Sequence, residues 1–323
     1  MEEYMLFYGD KKIEDNICIT NMFNNTRQIN LGWTDFDNNN NLKIIEEIIN
    51  LGTNQIIFLG LEIGWDKLII KLKQKYNNLK IKIICNTQDS LLYYDYEREN
   101  FFKLLELSKK NIINNIAFLK KGQYEVYNSL GYNCSYLMQN YILDANNKQK
   151  IKEPNNIIDI GIYPLNYTWD KNIFNQLCIG KMVKNCNINY NILDERMKDF
   201  LNTMKIQSKE DKINEITEQD IIQKVIKNDI NISCSFTEYF HTIFWTSMEQ
   251  GVPCIIGNTS DLFDKDNELK NYIVTLAEDN PIENAKKVEE CLKNKDKVIQ
   301  LYKNWKEEYN KKAEENIQAF INK

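Results

Sequence analysis

The chain holds a single histidine, His241, among 323 residues. With no Gly-x-Ser-x-Gly elbow either, it is a poor fit to a Ser-His-Asp hydrolase. Neither Gly-x-x-x-x-Gly-Lys-[Ser/Thr] nor Gly-x-Gly-x-x-Gly occurs, so phosphate-loop NTPases and nicotinamide dehydrogenases lack their markers. No excess of positive charge is present. The net charge is −5, with both signs interspersed, so the basic footprint of a duplex-binding protein is missing and no nucleic acid is expected as partner. No apolar run approaches the roughly 20 residues that span a bilayer. The opening MEEYMLFYGDKK lacks the basic start and long apolar core of a signal peptide. No Cys-x-x-Cys pair occurs among the eight cysteines, Cys18, Cys85, Cys134, Cys178, Cys186, Cys234, Cys254 and Cys291. Most sit in apolar runs such as IIC, ISC and PCII, which reads as buried free thiols in a reducing compartment rather than disulfides or zinc ligands. The expected location is the cytoplasm.

What remains is ordinary globular material. The chain is 43% apolar and 27% charged, at a length that suits two domains, either able to bury a core of its own. Short apolar runs rich in β-branched residues alternate with longer helical patterns. QIIFLG (55–60), IKIICN (81–86), NIAFLK (115–120) and CSYLMQN (134–140) read as strands. WDKLIIKLKQKY, RENFFKLLELSKK and GQYEVYNSLG between them read as helices. This spacing predicts a parallel sheet with helical crossovers, covered on both faces. The polar, Asn- and Lys-rich 141–156 reads as a linker. The alternation then restarts: IIDIGIYPL (157–165), a helix over 171–183, NINYNIL (187–193), helices over 194–203 and 218–228, DINISCSF (229–236), VPCIIG (252–257) and a strand in NYIVTL (271–276). Two helical patterns, 281–294 and 296–321, close the chain. Ligands in such folds bind at the C-terminal ends of the strands.

Within DINISCSFTEYFHTIFWTSMEQGVPCIIG, a buried strand ends near Phe236 and a short loop carries Glu238. A helix starts near His241 or Thr242 and stops at Gly251, in line with the preference for glycine after a helix. Helical spacing places Ile243, Phe244 and Met248 on an apolar face and Thr242, Thr246 and Glu249 on the other. A helix start following a strand presents unpaired N–H groups and a partial positive charge, which suits a phosphate. The upstream carboxylate repels phosphate but accepts hydrogen bonds from sugar hydroxyls, so loop and helix together suit a sugar phosphate. Taken alone the pattern fits a purely structural role as well, because every α/β protein contains strand-loop-helix units.

The segment resembles the donor-site motif of family 4-type GT-B glycosyltransferases: Ser-x-x-Glu-Gly-Phe-Gly, a second Glu eight residues after the first, then Gly-Val-Pro. Ser235, Glu238, Phe240, Met248, Gly251, Val252 and Pro253 fall in register. AEDNPIENAKKVEECLKN further on resembles the family's acidic-Pro turn and following helix, so the resemblance covers most of 157–323. Two departures stand out. Thr246 takes the place of the second Glu, which in the family grips the nucleotide ribose, and His241 takes that of a small residue. The Thr246 hydroxyl itself, or Glu249 one turn on, would then take the part of the ribose acid. Lys171-Asn172 matches the family's basic residue followed by Gly or Asn, which contacts the donor diphosphate. The Arg usual about five residues earlier is absent, with Asn166 near its place.

The resemblance implies an α/β fold of two Rossmann-like domains facing each other across a cleft. Residues 1–150 would form the acceptor domain, 151–300 the nucleotide-sugar domain, and 301–323 a helix crossing back to the first. It implies retaining transfer of a hexosyl group from a UDP- or GDP-linked sugar to a hydroxyl of a glycan, lipid-linked glycan or protein, with no metal and no cofactor beyond that co-substrate. Glu238 would orient the sugar, and Lys171 with the amides around Phe240, His241, Thr242 and Ile243 would hold the diphosphate. The Tyr-, Asp- and amide-rich run after the 81–86 strand nominates Asn86, Gln88 and Asp89 for the acceptor. The basic face of 66–82 suits weak contact with an anionic lipid surface or simple solvation. The strings Asp35-Phe36-Asp37 and Asp264-Lys265-Asp266 read as solvated loops rather than metal sites. Two rival readings stand beside this one. The chain is a non-catalytic partner on the same fold, for which Thr246 and the missing Arg argue. Or it is a nucleotide-sugar or sugar-phosphate epimerase or isomerase, which the lone histidine in the donor loop disfavours.

Overall fold

The computed structural model describes residues 5–8, 22–23, 28–31, 40–50, 52–140, 156–191, 194–210, 218–259 and 261–323. Asp35-Phe36-Asp37 and the proposed linker up to residue 155 lie outside them. The chain divides into two compact units. One comprises Met1–Asn140 with Asn310–Lys323, the other Tyr141–Tyr309.

The first unit is built on a six-stranded sheet in the order β2-β1-β3-β4-β5-β6. Its strands are β1 (Met5–Tyr8), β2 (Gln28–Asn30), β3 (Gln55–Leu59), β4 (Lys80–Cys85), β5 (Asn115–Phe118) and β6 (Cys134–Tyr136). Every pairing is parallel. Its helices are α1 (Asn40–Asn50), α2 (Trp65–Lys75), α3 (Asp95–Lys109) and α4 (Lys121–Ser129). β3 is buried along its whole length and β4 beyond its first residue, as expected where helices cover both faces of a sheet. On α2, Trp65, Leu68, Ile69 and Leu72 follow the helical period and are the buried positions, with Trp65 against Phe58 of β3.

One residue breaks the apolar run of β4. Lys82 is only 1% exposed, and its ammonium donates to the carbonyls of Phe320 (2.6 Å) and Ile321 (2.9 Å). These carbonyls belong to the end of the last helix, α11 (Lys295–Asn322), where unpaired C=O groups and the negative dipole end favour a cation. Gln55 of β3 donates to the Ile321 carbonyl as well, at 3.1 Å. The end of α11 is thus fastened to the sheet by polar side chains that a strand pattern alone would leave unexplained.

The second unit carries β7 (Ile158–Ile162), β8 (Cys186–Tyr190), β9 (Ser208–Glu210), β10 (Ile230–Ser233), β11 (Cys254–Gly257) and β12 (Val274–Thr275). All pairings are parallel, in the order β12-β11-β10-β7-β8-β9. Its helices are α5 (Ile173–Met182), α6 (Glu195–Thr203), α7 (Glu218–Val225), α8 (Thr242–Glu249), α9 (Glu268–Ile273) and α10 (Pro281–Lys293), with the first part of α11. Asparagines line one face of the central strands. Asn189 donates to Asn228 (2.7 Å), Asn228 to Asn231 (2.8 Å), and Asn231 to the Ser247 hydroxyl on α8 (2.7 Å). Buried amides linked in this way meet the requirement that interior polar groups be paired.

Several expectations need correction. The first half of the strand expected in NYIVTL is the end of α9, whose start is capped by the Asn267 side chain, which accepts from the Lys270 N–H at 3.3 Å; only Val274 and Thr275 pair as a strand. The helix expected from Lys171 begins at Ile173, after a 3-10 turn over Trp169–Lys171. α7 stops at Val225 rather than 228. α8 is buried on all sides from Thr242 through Met248, so its Thr242 and Thr246 side chains are enclosed as fully as its apolar ones. Phe244 and Trp245 project into an aromatic cluster with Tyr302, Trp305 and Tyr309 of α11, while Ser247 reaches the sheet.

Candidate functional site

In the second unit the order in which the chain adds strands reverses direction between β7 and β10. β8 and β9 lie on one side of β7, and β10, β11 and β12 continue from its other edge. A parallel sheet opens a crevice at such a point, outside the C-terminal strand ends, because the crossovers leave in opposite directions. The loops leaving those two ends carry residues 163–172 and 234–241.

These loops are stitched together. The Phe236 N–H donates to the Asp170 carbonyl at 2.7 Å. The Asn172 amide donates to the carbonyls of Cys234 (3.0 Å) and Glu278 (2.7 Å). Gln176 donates to the Lys171 carbonyl (2.7 Å) and accepts from the Cys234 N–H (3.1 Å). Gly257, at the end of β11, lies so close that a Cβ there would stand 2.8 Å from the Ser235 carbonyl oxygen. Asn172 and His241 both adopt left-handed backbone, at φ 52° and 43°, and each stands immediately before a helix, α5 and α8 respectively. That conformation strains residues other than glycine, asparagine and aspartate, and such strain concentrates at functional sites.

The stitching brings Lys171 and Glu238 into an ion pair. The Lys171 ammonium stands 2.7 Å from a Glu238 carboxylate oxygen, with side chains 9% and 12% exposed. The Ser235 hydroxyl donates to the same oxygen at 3.4 Å. A nearly buried cation and anion thus meet at the switch point, next to the start of α8. The neighbouring Cys234 thiol is no rival nucleophile: burial, then the nearby Glu278, push its pKa far above the usual thiol value.

The remaining nominated residues fall into distinct places. Phe240, His241, Thr242 and Ile243 are buried around the α8 start, and Thr246 is wholly buried within the helix. Glu249 accepts from the Tyr302 hydroxyl and pairs with Lys306 at 2.6 Å, so the expected substitute for the ribose acid ties α8 to α11. Asn166 accepts from the Thr168 hydroxyl at 2.6 Å, on the loop leading to Trp169. In the first unit, Gln88 is buried at the start of a 3-10 turn over Asp89–Tyr93. Asp89 accepts from Gln123 (3.1 Å) and the Tyr127 hydroxyl (3.2 Å). The Asn86 side chain packs against Gly60. Among the described residues no group of three or more His, Cys, Asp or Glu side chains is placed to hold a metal, and no helix is long and apolar enough to cross a membrane.

Sequence reasoning passed over Glu62. It follows β3 at the C-terminal edge of the first sheet, is 4% exposed, and accepts from the Tyr96 hydroxyl at 3.1 Å. Its signal is the string GLEIG, a carboxylate between two glycines just past a buried strand.

No protein-family model matches the chain, and no curated protein matches it in sequence. Solved structures do. HepE from Anabaena, in complex with UDP-glucose, matches with a TM-score of 0.68 at 9% identity, covering 98% of each chain. A glycosyltransferase from Rickettsia africae matches with a TM-score of 0.62 at 13% identity over 98% of this chain and 99% of that one. The lipopolysaccharide outer core galactosyltransferase WaaB matches with a TM-score of 0.58 at 11% identity over 97% and 98%. The chain has the GT-B fold, two Rossmann-like α/β units each built on a parallel sheet.

Proposed function

We propose that the protein transfers a hexosyl group from a UDP- or GDP-linked sugar to an acceptor hydroxyl, with retention and without a metal. The observation that carries this is the Lys171–Glu238 pair, 2.7 Å apart at the switch point of the second unit. The fold supports it, as do the similar structures, one of which contains UDP-glucose. In this reading the second unit takes the donor. The incoming diphosphate replaces Glu238 as partner of Lys171 and lies against the first N–H groups of α8. Glu238, released, accepts hydrogen bonds from the sugar hydroxyls. The chemistry is charge stabilisation of the departing diphosphate together with positioning. The first unit takes the acceptor, a glycan, lipid-linked glycan or protein, near Asn86, Gln88, Asp89 and Glu62.

A second reading is a non-catalytic partner on the same fold. It is favoured by Thr246, 0% exposed where a ribose-gripping acid would stand. Calorimetry with UDP, GDP and their glucose and mannose conjugates separates the two readings when it is paired with an assay for nucleotide release on adding acceptor glycans. Binding plus release supports transfer. Binding without release across the panel supports the partner role. Absence of any nucleotide binding sinks the transferase.

A further inference from the structure

We propose that Trp169 and Phe236 form a stacking platform for a pyranose ring beside the Lys171–Glu238 pair; this rests on reading that pair as a sugar-transfer site. Trp169 is 52% exposed and Phe236 38% exposed, although Asp170, Lys171, Ser235 and Thr237 beside them are buried. Their ring centroids lie 6.2 Å apart with planes inclined at 31°. The loops run side by side, so Trp169 meets Phe236, the Asp170 carbonyl meets the Phe236 N–H at 2.7 Å, and Lys171 meets Glu238 at 2.7 Å. The aromatic pair therefore lies on the same two segments as the ion pair, with the Asp170–Phe236 backbone bond between them.

Indole and phenyl rings held open to water forgo the burial that ordinarily stabilises them. Here the backbone beneath them is fixed by the hydrogen bonds that align the site, so covering them costs little further ordering. A pyranose has an apolar C–H face and a rim of hydroxyls. It needs an apolar surface with groups that exchange hydrogen bonds near it, and the same two loops carry the Glu238 carboxylate, paired with Lys171, and the Thr168 hydroxyl, bonded to Asn166. Two rings could occupy the platform, that of the donor sugar or that of an acceptor saccharide. Their chemistry is shared, and the test separates them.

Wild type, Trp169→Ala, Trp169→Phe and Phe236→Ala are titrated by calorimetry, and by Trp fluorescence wherever Trp169 is retained. The ligands are bare UDP and GDP, their glucose and mannose conjugates, and free methyl hexopyranosides and disaccharides. Circular dichroism and thermal melts check that each variant is folded. The expected result is a loss of about tenfold in affinity for sugar-bearing ligands in Trp169→Ala and Phe236→Ala, retention in Trp169→Phe, and unchanged affinity for the bare nucleotides. A loss confined to nucleotide sugars assigns the donor ring; a loss for free saccharides assigns the acceptor ring. Equal sugar affinity in all four proteins overturns the platform, as does an equal loss for bare UDP or GDP, which would make the base its occupant. Sugar binding through Trp169 in a protein that binds no nucleotide would remove the transfer reaction and leave the platform standing. A wild type that binds neither removes both.

Discussion

Replacing Lys171 by Met and Glu238 by Gln, singly and together, separates the stability of the ion pair from its use in catalysis. The two charges are about nine-tenths buried and 2.7 Å apart. At an effective dielectric of about 20, unit charges at such range attract by about 6 kcal/mol. Removing one partner deprives the other of its opposite charge, which costs up to about 3–5 kcal/mol at fully buried sites. Against a stability of about 5–15 kcal/mol, a loss of that size unfolds only a domain at the low end of the range. The double variant strands neither charge, so urea melts should place its stability about 1–3 kcal/mol above the sum of the single effects. Function should split differently. Glu238 competes with the diphosphate for Lys171, so Glu238→Gln should bind UDP or GDP at least as tightly as wild type while losing transfer by about 100-fold or more. Lys171→Met should lose both affinity and transfer. Calorimetry with the bare nucleotide and a release assay on protein shown to be folded read the two effects. Unchanged nucleotide affinity in Lys171→Met, or transfer intact in both single variants, would refute the exchange of partners at this lysine.

Two further predictions concern the scaffold. Burial, then the charges of Lys80 and Lys323, pull the Lys82 pKa down to about 8 from 10.5, because loss of hydration outweighs the helix-end carbonyls that favour its cation. The folded state thus releases this proton first, the unfolded state binds more protons above pH 8, and stability rises from about pH 8 to 10, with the full cost present below that window. The wild-type advantage over Lys82→Met in urea melts should therefore grow by about 3 kcal/mol across it, and a flat difference would contradict the assignment. A Cβ at residue 161 would stand 2.1 Å from the Asn231 amide oxygen and 2.3 Å from the Asn228 amide nitrogen. Gly161→Ala should then break the asparagine chain and lower stability by about 1–3 kcal/mol or more; a Tm within a degree of wild type would show that the amides rearrange freely.

The strands β3, β4 and β5 were legible because interior parallel strands carry short, mostly apolar, isoleucine-bearing runs, and α8 ends where Gly251 permits φ 71°. α9 was misread because YIV favours a strand by composition, whereas the Asn267 cap committed the preceding turn to a helix. The surroundings of the polar side of α8 were illegible for a different reason. Helical period places Thr242, Thr246 and Glu249 on one side, but whether that side meets water depends on what packs there, and α11 brings Tyr302 and Lys306 to Glu249. Lys82 reads as a flaw in a strand until the end of α11 is seen above it.

Local sequence determined the periods, the helix stops and the residue types available at each strand end, because these depend on backbone sterics and on neighbours a few positions apart. Tertiary structure alone decided which of those residues meet. Lys171 and Glu238 lie 67 positions apart, and they pair because strand order sets β7 beside β10; Trp169 and Phe236 become neighbours by the same step. Charge and aromatic character are written in single residues, but their juxtaposition is a property of the sheet.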